Sequence, residues 1–318
     1  METRTQLNPL VACFLIVLLG ALVMAAQASP IITEFPIPSV PGSPLGIAEG
    51  PDGNMWFTEQ LPNKIGRITP DGRITEYPIP TPNSSPYLIT KGPDFALWFT
   101  EYATSKIGRI IAQGHGVSEF ALPANSNPIG IAVSDDDIWF TEYGSNKIGR
   151  MTRHGALREF SIPTPNSQPF AITRGHDGHL WFTEFSGNKI GRIDKDGKIE
   201  EFPVAVGSNP TGITRGPDGN IWFTEASRNM IGRITHEGTV TEFPVPTLNS
   251  APSGITSGPD GNIWFTESQG NKIGRVSVDG VITEFPVPTL SSEPEVDRKR
   301  PRRHCMVHRV YGFQNRAH

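Results

Sequence analysis

Large apolar residues in this chain do not alternate with polar ones in the manner of a half-exposed strand. They come as consecutive runs that recur: Met55-Trp56-Phe57, Leu97-Trp98-Phe99, Ile138-Trp139-Phe140, Leu180-Trp181-Phe182, Ile221-Trp222-Phe223 and Ile263-Trp264-Phe265, each followed by Thr-Glu. Adjacent side chains of a strand point to opposite faces, so a run of this kind predicts a strand covered on both sides. Most copies are preceded by a Pro-Asp-Gly type turn, and Gly216–Glu225 and Gly258–Glu267 are identical throughout. Such a turn feeding β-branched and aromatic residues predicts a hairpin.

A proline opens each unit, at Pro44, Pro86, Pro128, Pro169, Pro210, Pro252 and Pro294, in steps of 41 or 42 residues. That period is the one associated with four-stranded propeller blades. The sixth unit divides into four strand-sized pieces: Ser253–Thr256, Ile263–Glu267, Lys272–Val276 and Val281–Val287, with a second turn signal at Val278-Asp279-Gly280. Prolines in the fourth piece place it on an outer edge, where a missing N–H costs no ladder bond. The six tryptophans, one per unit, are expected to be a ring of buried anchors between blades.

The fold class that follows is all-β, a propeller with six complete repeats and an incomplete seventh. Ile32–Pro38 reads as a fourth strand with no first three before it, and Ser291-Ser292-Glu293-Pro294 opens a seventh unit. A seven-bladed ring closed by joining the two ends is the natural expectation. The seventh unit then stops: Glu295–His304 has no Gly-Ile, no turn and no Trp-Phe. A shift of reading frame just after Pro294 accounts for so abrupt a break. The expected organisation is a signal peptide over 1–28, a propeller over 31–294 and a disordered, off-pattern basic tail over 295–318.

Composition supports this and narrows the partners. Gly 33 and Pro 30 suit many short strands and tight turns. A net charge of −4 gives no reason to expect nucleic acid or an anionic membrane as a partner. The leader carries Arg4, an apolar stretch from Leu10 to Ala26, and Ala26-Gln27-Ala28 as a cleavage pattern, so export to a periplasmic or extracellular location is expected. Cleavage would leave Cys305 as the one cysteine, so no internal disulfide could staple the fold.

Trp-Phe-Thr-Glu, Asn-Lys-Ile-Gly-Arg-Ile and Thr-Glu-Phe-Pro-Val-Pro-Thr, with spacers such as Pro165-Asn166-Ser167, closely resemble the virginiamycin B lyases, also called streptogramin lyases, over about Ile31–Pro294. The resemblance implies a seven-bladed propeller that linearises streptogramin B cyclic depsipeptides by elimination at the ester bond, with a general base and Mg²⁺. It also implies where the chemistry sits. Ser253 stands where the family has a substrate-contacting histidine, Glu293 matches a metal ligand, and Glu295 occupies the place of the catalytic histidine. A further acidic ligand after the seventh Trp-Phe has no counterpart.

Other candidates are the glutamates ending each second strand, Glu59, Glu101, Glu142, Glu184, Glu225 and Glu267. They could converge near the axis on a cation, but their repetition points to a structural role, pairing with Arg67, Arg109, Arg150, Arg192, Arg233 and Arg275. The residue after each opening proline varies on a constant frame (Leu45, Tyr87, Ile129, Phe170, Thr211, Ser253), as ligand-contacting positions do. The expected function is therefore that of an exported binding or scaffold propeller, or an inactive homologue, taking a small molecule or peptide on the loop face. The alternative is the Mg²⁺-dependent lyase. A closed ring would be a monomer, and an open one would self-associate through uncovered blade faces.

Overall fold

The computed structural model describes residues 32–40, 42–113, 116–289 and the short strand Cys305–Met306. The predicted leader, Glu293, Pro294, Glu295 and the rest of the basic tail lie outside the described residues. Within them are six antiparallel four-stranded sheets, each built from strands consecutive in sequence and hydrogen-bonded in sequence order. The first comprises Pro44–Glu49, Met55–Glu59, Lys64–Ile68 and Ile74–Pro78. The sixth comprises Pro252–Ser257, Ile263–Glu267, Lys272–Val276 and Ile282–Pro286, within a residue or so of the bounds read from the sequence. The described residues form a β-propeller of six four-stranded blades.

Every second strand is enclosed on both faces, and the core clusters explain how. Trp222 packs with Ile231 and Val245 of its own blade against Ile263, Phe265 and Val276 of the next. Its neighbour Phe223 points the other way, into a cluster with Trp181, Ile190 and Val204 of the preceding blade. The six tryptophans are at most 6% exposed, each burial being worth on the order of 3 kcal/mol. Every indole stacks on the fourth-strand aromatic of its own blade, 5.3 Å from Phe120 for Trp98 and 5.5 Å from Tyr77 for Trp56. The glycine of each Lys-Ile-Gly-Arg strand is needed because the phenylalanine lies on it: a Cβ at Gly274 would be 2.0 Å from the Phe265 ring.

The register corrects the expected Glu–Arg pairing. Trp56 lies opposite Arg67, and Glu59 lies opposite Lys64 at the other end of the hairpin. The arginines reach aspartates at the start of the second strand instead, Arg109 to the turn residue Asp94 and Arg150 to Asp137, which opens its strand, both at 2.6 Å. Arg109 also lies over its blade's tryptophan ring at 5.8 Å. Where a Pro-Asp-Gly type turn precedes the strand, its aspartate accepts the indole N–H, as Asp218 does from Trp222 at 3.0 Å. The turn residue is thus chosen for the indole it caps as well as for its backbone.

Neighbouring blades are clasped by fourth-strand glutamates. Glu284 accepts from the amide and hydroxyl of Thr247, at 2.8 and 2.9 Å, and is paired with Lys272 at 2.8 Å. Thr164 and Ser39 clasp Glu201 and Glu76 in the same way. The pattern continues past the sixth blade: the amide and hydroxyl of Thr289 donate to Glu34 at 3.2 and 2.7 Å. Phe35 lies on Gly72 (φ +86°) of the first blade, as Phe243 lies on Gly280 of the sixth. The N-terminal segment therefore occupies the outer-strand position between the sixth and first blades, and Phe35–Pro36 pairs antiparallel with Cys305–Met306.

Candidate functional site

The repeat itself builds the site. In every blade the pairing of first and second strands slips just after the opening proline, between Pro44 and Ile47, Pro86 and Ile89, Pro128 and Ile131, and so on to Pro252 and Ile255. The variable residue sits in this bulge, a device that re-aims a side chain. The residue before the proline has positive φ in all six blades, including Gln168 at 54° and Ala251 at 50°, a conformation costly for anything but glycine. The backbone of the bulge is then locked by the preceding blade: Thr58 donates to the Tyr87 carbonyl at 2.6 Å, Thr141 to that of Phe170 at 2.7 Å, and Thr224 to that of Ser253 at 2.8 Å. Only the side chain is left to vary.

A second variable position, missed in the sequence, joins the first. It is the residue after each second-strand glutamate, Gln60, Tyr102, Tyr143, Phe185, Ala226 or Ser268; in four blades its N–H is tied to the residue before the opening proline, as Tyr102 N–H is to Ser85 C=O at 3.2 Å and Phe185 N–H to Gln168 C=O at 3.1 Å. The two positions share one end of the propeller, and their side chains meet. Tyr87 and Phe170, two blades apart, touch edge to face at 5.8 Å. Phe170 also meets Tyr143 and Phe185, and Tyr102 meets Tyr87 and Tyr143, at centroid distances between 6.2 and 6.5 Å. Blades two to four thus present a continuous aromatic wall, each ring half-buried, whereas the same positions in blades five and six hold Thr211, Ala226, Ser253 and Ser268. Burial, with the phenols of Tyr102 and Tyr143 nearby, pushes the Tyr87 hydroxyl above its ordinary range, so it stays neutral.

The second-strand glutamates do not converge on a cation. Each is buried in its own blade, beside the fourth-strand glutamate of that blade. Burial first, and then the charge of Glu201, push the Glu184 carboxyl up to about 7. Glu59, Glu101, Glu142 and Glu267 are likewise pushed up to about 7, burial being the main cause. A carboxyl with that pKa could serve as a general base in an open cleft, but these are enclosed, at no more than 1% exposure. Among the described residues no three His, Cys, Asp or Glu are grouped so as to hold a metal. His176 is bound to the Gly216 carbonyl at 2.9 Å and His179 to Asp177 at 3.2 Å, both on the opposite, turn-bearing end.

Of the residues singled out in the sequence, Ser253 is placed on the rim, half-buried in the sixth bulge; Glu293 and Glu295 lie outside the described residues. The model of the Virginiamycin B lyase family matches residues 23–205 and 133–305. The chain belongs to the virginiamycin B lyase family. Virginiamycin B lyase from Staphylococcus aureus is 43% identical, with 82% of this chain and 90% of that one covered at a TM-score of 0.79. A catalytically inactive variant of the same enzyme, solved with quinupristin, is 42% identical over 83% of this chain and 90% of that one, with a TM-score of 0.80. The virginiamycin B lyase of Bordetella pertussis is 44% identical over 43 residues, and the match spans 14% of that relative's length.

Proposed function

We propose that this family member is an exported binding propeller that holds its ligand in the loop-face mouth and does not open it. The observation that carries this reading is Ser253, whose backbone carbonyl is held by Thr224 in the sixth bulge and whose side chain is a hydroxymethyl where the family resemblance calls for an imidazole. The described carboxylates support it too. The second-strand glutamates are enclosed within their blades, and fourth-strand glutamates such as Glu284 are engaged in clasps between blades.

The 43% identity to a virginiamycin B lyase favours a second reading, that of a Mg²⁺-dependent elimination. It requires Glu293 as metal ligand and Glu295 as base. The described residues do not supply a magnesium site of their own.

Incubating the purified full chain with quinupristin and Mg²⁺ separates the two. Elimination inside a ring opens it without loss of atoms, so the product has unchanged mass but a new retention time and a new conjugated double bond. Binding with no such product is expected. Conversion above the protein-free blank that disappears in Glu293→Ala overturns the binding reading in favour of the lyase. Export is checked by the N-terminus of the secreted protein, expected to begin just after Ala28.

A further inference from the structure

We infer that the Tyr87–Phe170 wall is the specificity-determining part of the mouth and that it takes an aromatic or other flat apolar group of the ligand. The inference rests on the binding reading above and adds which chemistry the mouth selects. Its basis is the division of the rim. Neither rim position carries a charged residue in any of the six blades, so ligand groups that meet these positions find no ion pair there. The aromatic rings are confined to blades two to four, and the partly exposed rim hydroxyls are those of Ser253 and Ser268 in blade six, the Thr211 hydroxyl being buried against Thr224. A ligand that fills such a mouth lays a ring against the first half and turns peptide or ester groups toward the second.

The rings meet one another in favourable aromatic geometry, and each keeps part of its surface uncovered. Aromatic pairs favour tilted and edge-to-face contacts with centroids 4.5–7 Å apart, and every contact in the wall falls in that range. Phe170 is the hub, touching Tyr87, Tyr143 and Phe185. Its backbone is held independently by Thr141, so shortening its side chain removes the wall and leaves the bulge standing. Stacking surface of this sort, held on locked backbone, carries little ordering cost on binding.

The test is calorimetric titration of the full chain and of Phe170→Ala and Phe170→Tyr with quinupristin, each variant first checked for a parent-like circular dichroism spectrum. Phe170→Ala is expected to bind about tenfold more weakly and Phe170→Tyr within about twofold of the parent. If Phe170→Ala binds as the parent does, the wall is not the recognition surface, although the binding function stands. If the parent does not bind quinupristin, the earlier reading fails for that compound, and saturation-transfer NMR with N-acetylphenylalaninamide decides the wall alone. Phenyl signals that vanish in Phe170→Ala uphold it, and absence of signal from the parent overturns it. Should Phe170→Ala fail to fold, Tyr102→Ala is read against the same outcomes.

Discussion

Replacing Glu184 by glutamine should make the protein more stable at alkaline pH and leave it nearly unchanged in acid. Glu184 is fully buried beside Glu201, which is itself held ionised by Lys189 at 2.7 Å. Its carboxyl is raised from 4.5 to about 7. Because the folded form binds the proton more tightly than the unfolded chain, the stabilisation is complete below about pH 4.5 and is lost as pH rises through about 7. Moving the carboxyl from 4.5 to about 7 corresponds to roughly 3 kcal/mol once the group is ionised. Glutamine keeps the shape, carries no charge and can donate to Glu201. Melting curves of parent and Glu184→Gln at pH 4.5, 6, 7 and 8.5 should therefore diverge with rising pH, the variant melting roughly 6–12 °C higher at pH 8.5 for a domain of this size. Curves that run parallel across the range would refute the buried carboxyl pair as a titrating element.

Three further outcomes follow from the packing. Trp222→Ala, which empties a site between the fifth and sixth blades, should cost about 3–5 kcal/mol, measured by denaturant unfolding; a loss below about 1 kcal/mol would contradict the anchor role. Glu34→Ala removes the acceptor for both Thr289 donors and should lower stability by about 1–3 kcal/mol, whereas an unchanged midpoint would mean that the N-terminal clasp does not hold the ring. Size-exclusion chromatography of the full chain is expected to reveal self-association, and a compact monomer would indicate a closed ring.

Much of this architecture is legible in the sequence because it is written six times. The prolines give the period, the Trp-Phe runs give strands buried on both faces, and the fourth-strand prolines give the outer edge. The pairing of arginine with the turn aspartate was legible in principle. The four residues between Glu59 and Lys64 set the hairpin register, and counting back along it puts Arg67 opposite Trp56, near Asp52 at 3.4 Å. The aromatic wall was not legible. Tyr87 and Phe170 belong to different blades and meet only because the blades curve around an axis, and the contribution of Tyr102, Tyr143 and Phe185 depends on a turn position outside every strand. The predicted site residues Glu293 and Glu295 sit where the repeat pattern itself ends, so six copies of it carry no information about their surroundings.

The measurement closest to the central claim is a crystal structure of the full chain with quinupristin. The account predicts the ligand intact in the loop-face mouth, an apolar group against Tyr87 and Phe170 and polar groups toward Ser253 and Ser268. A ligand with its ring opened, or one seated on the opposite end among the Pro-Asp-Gly turns, would contradict it.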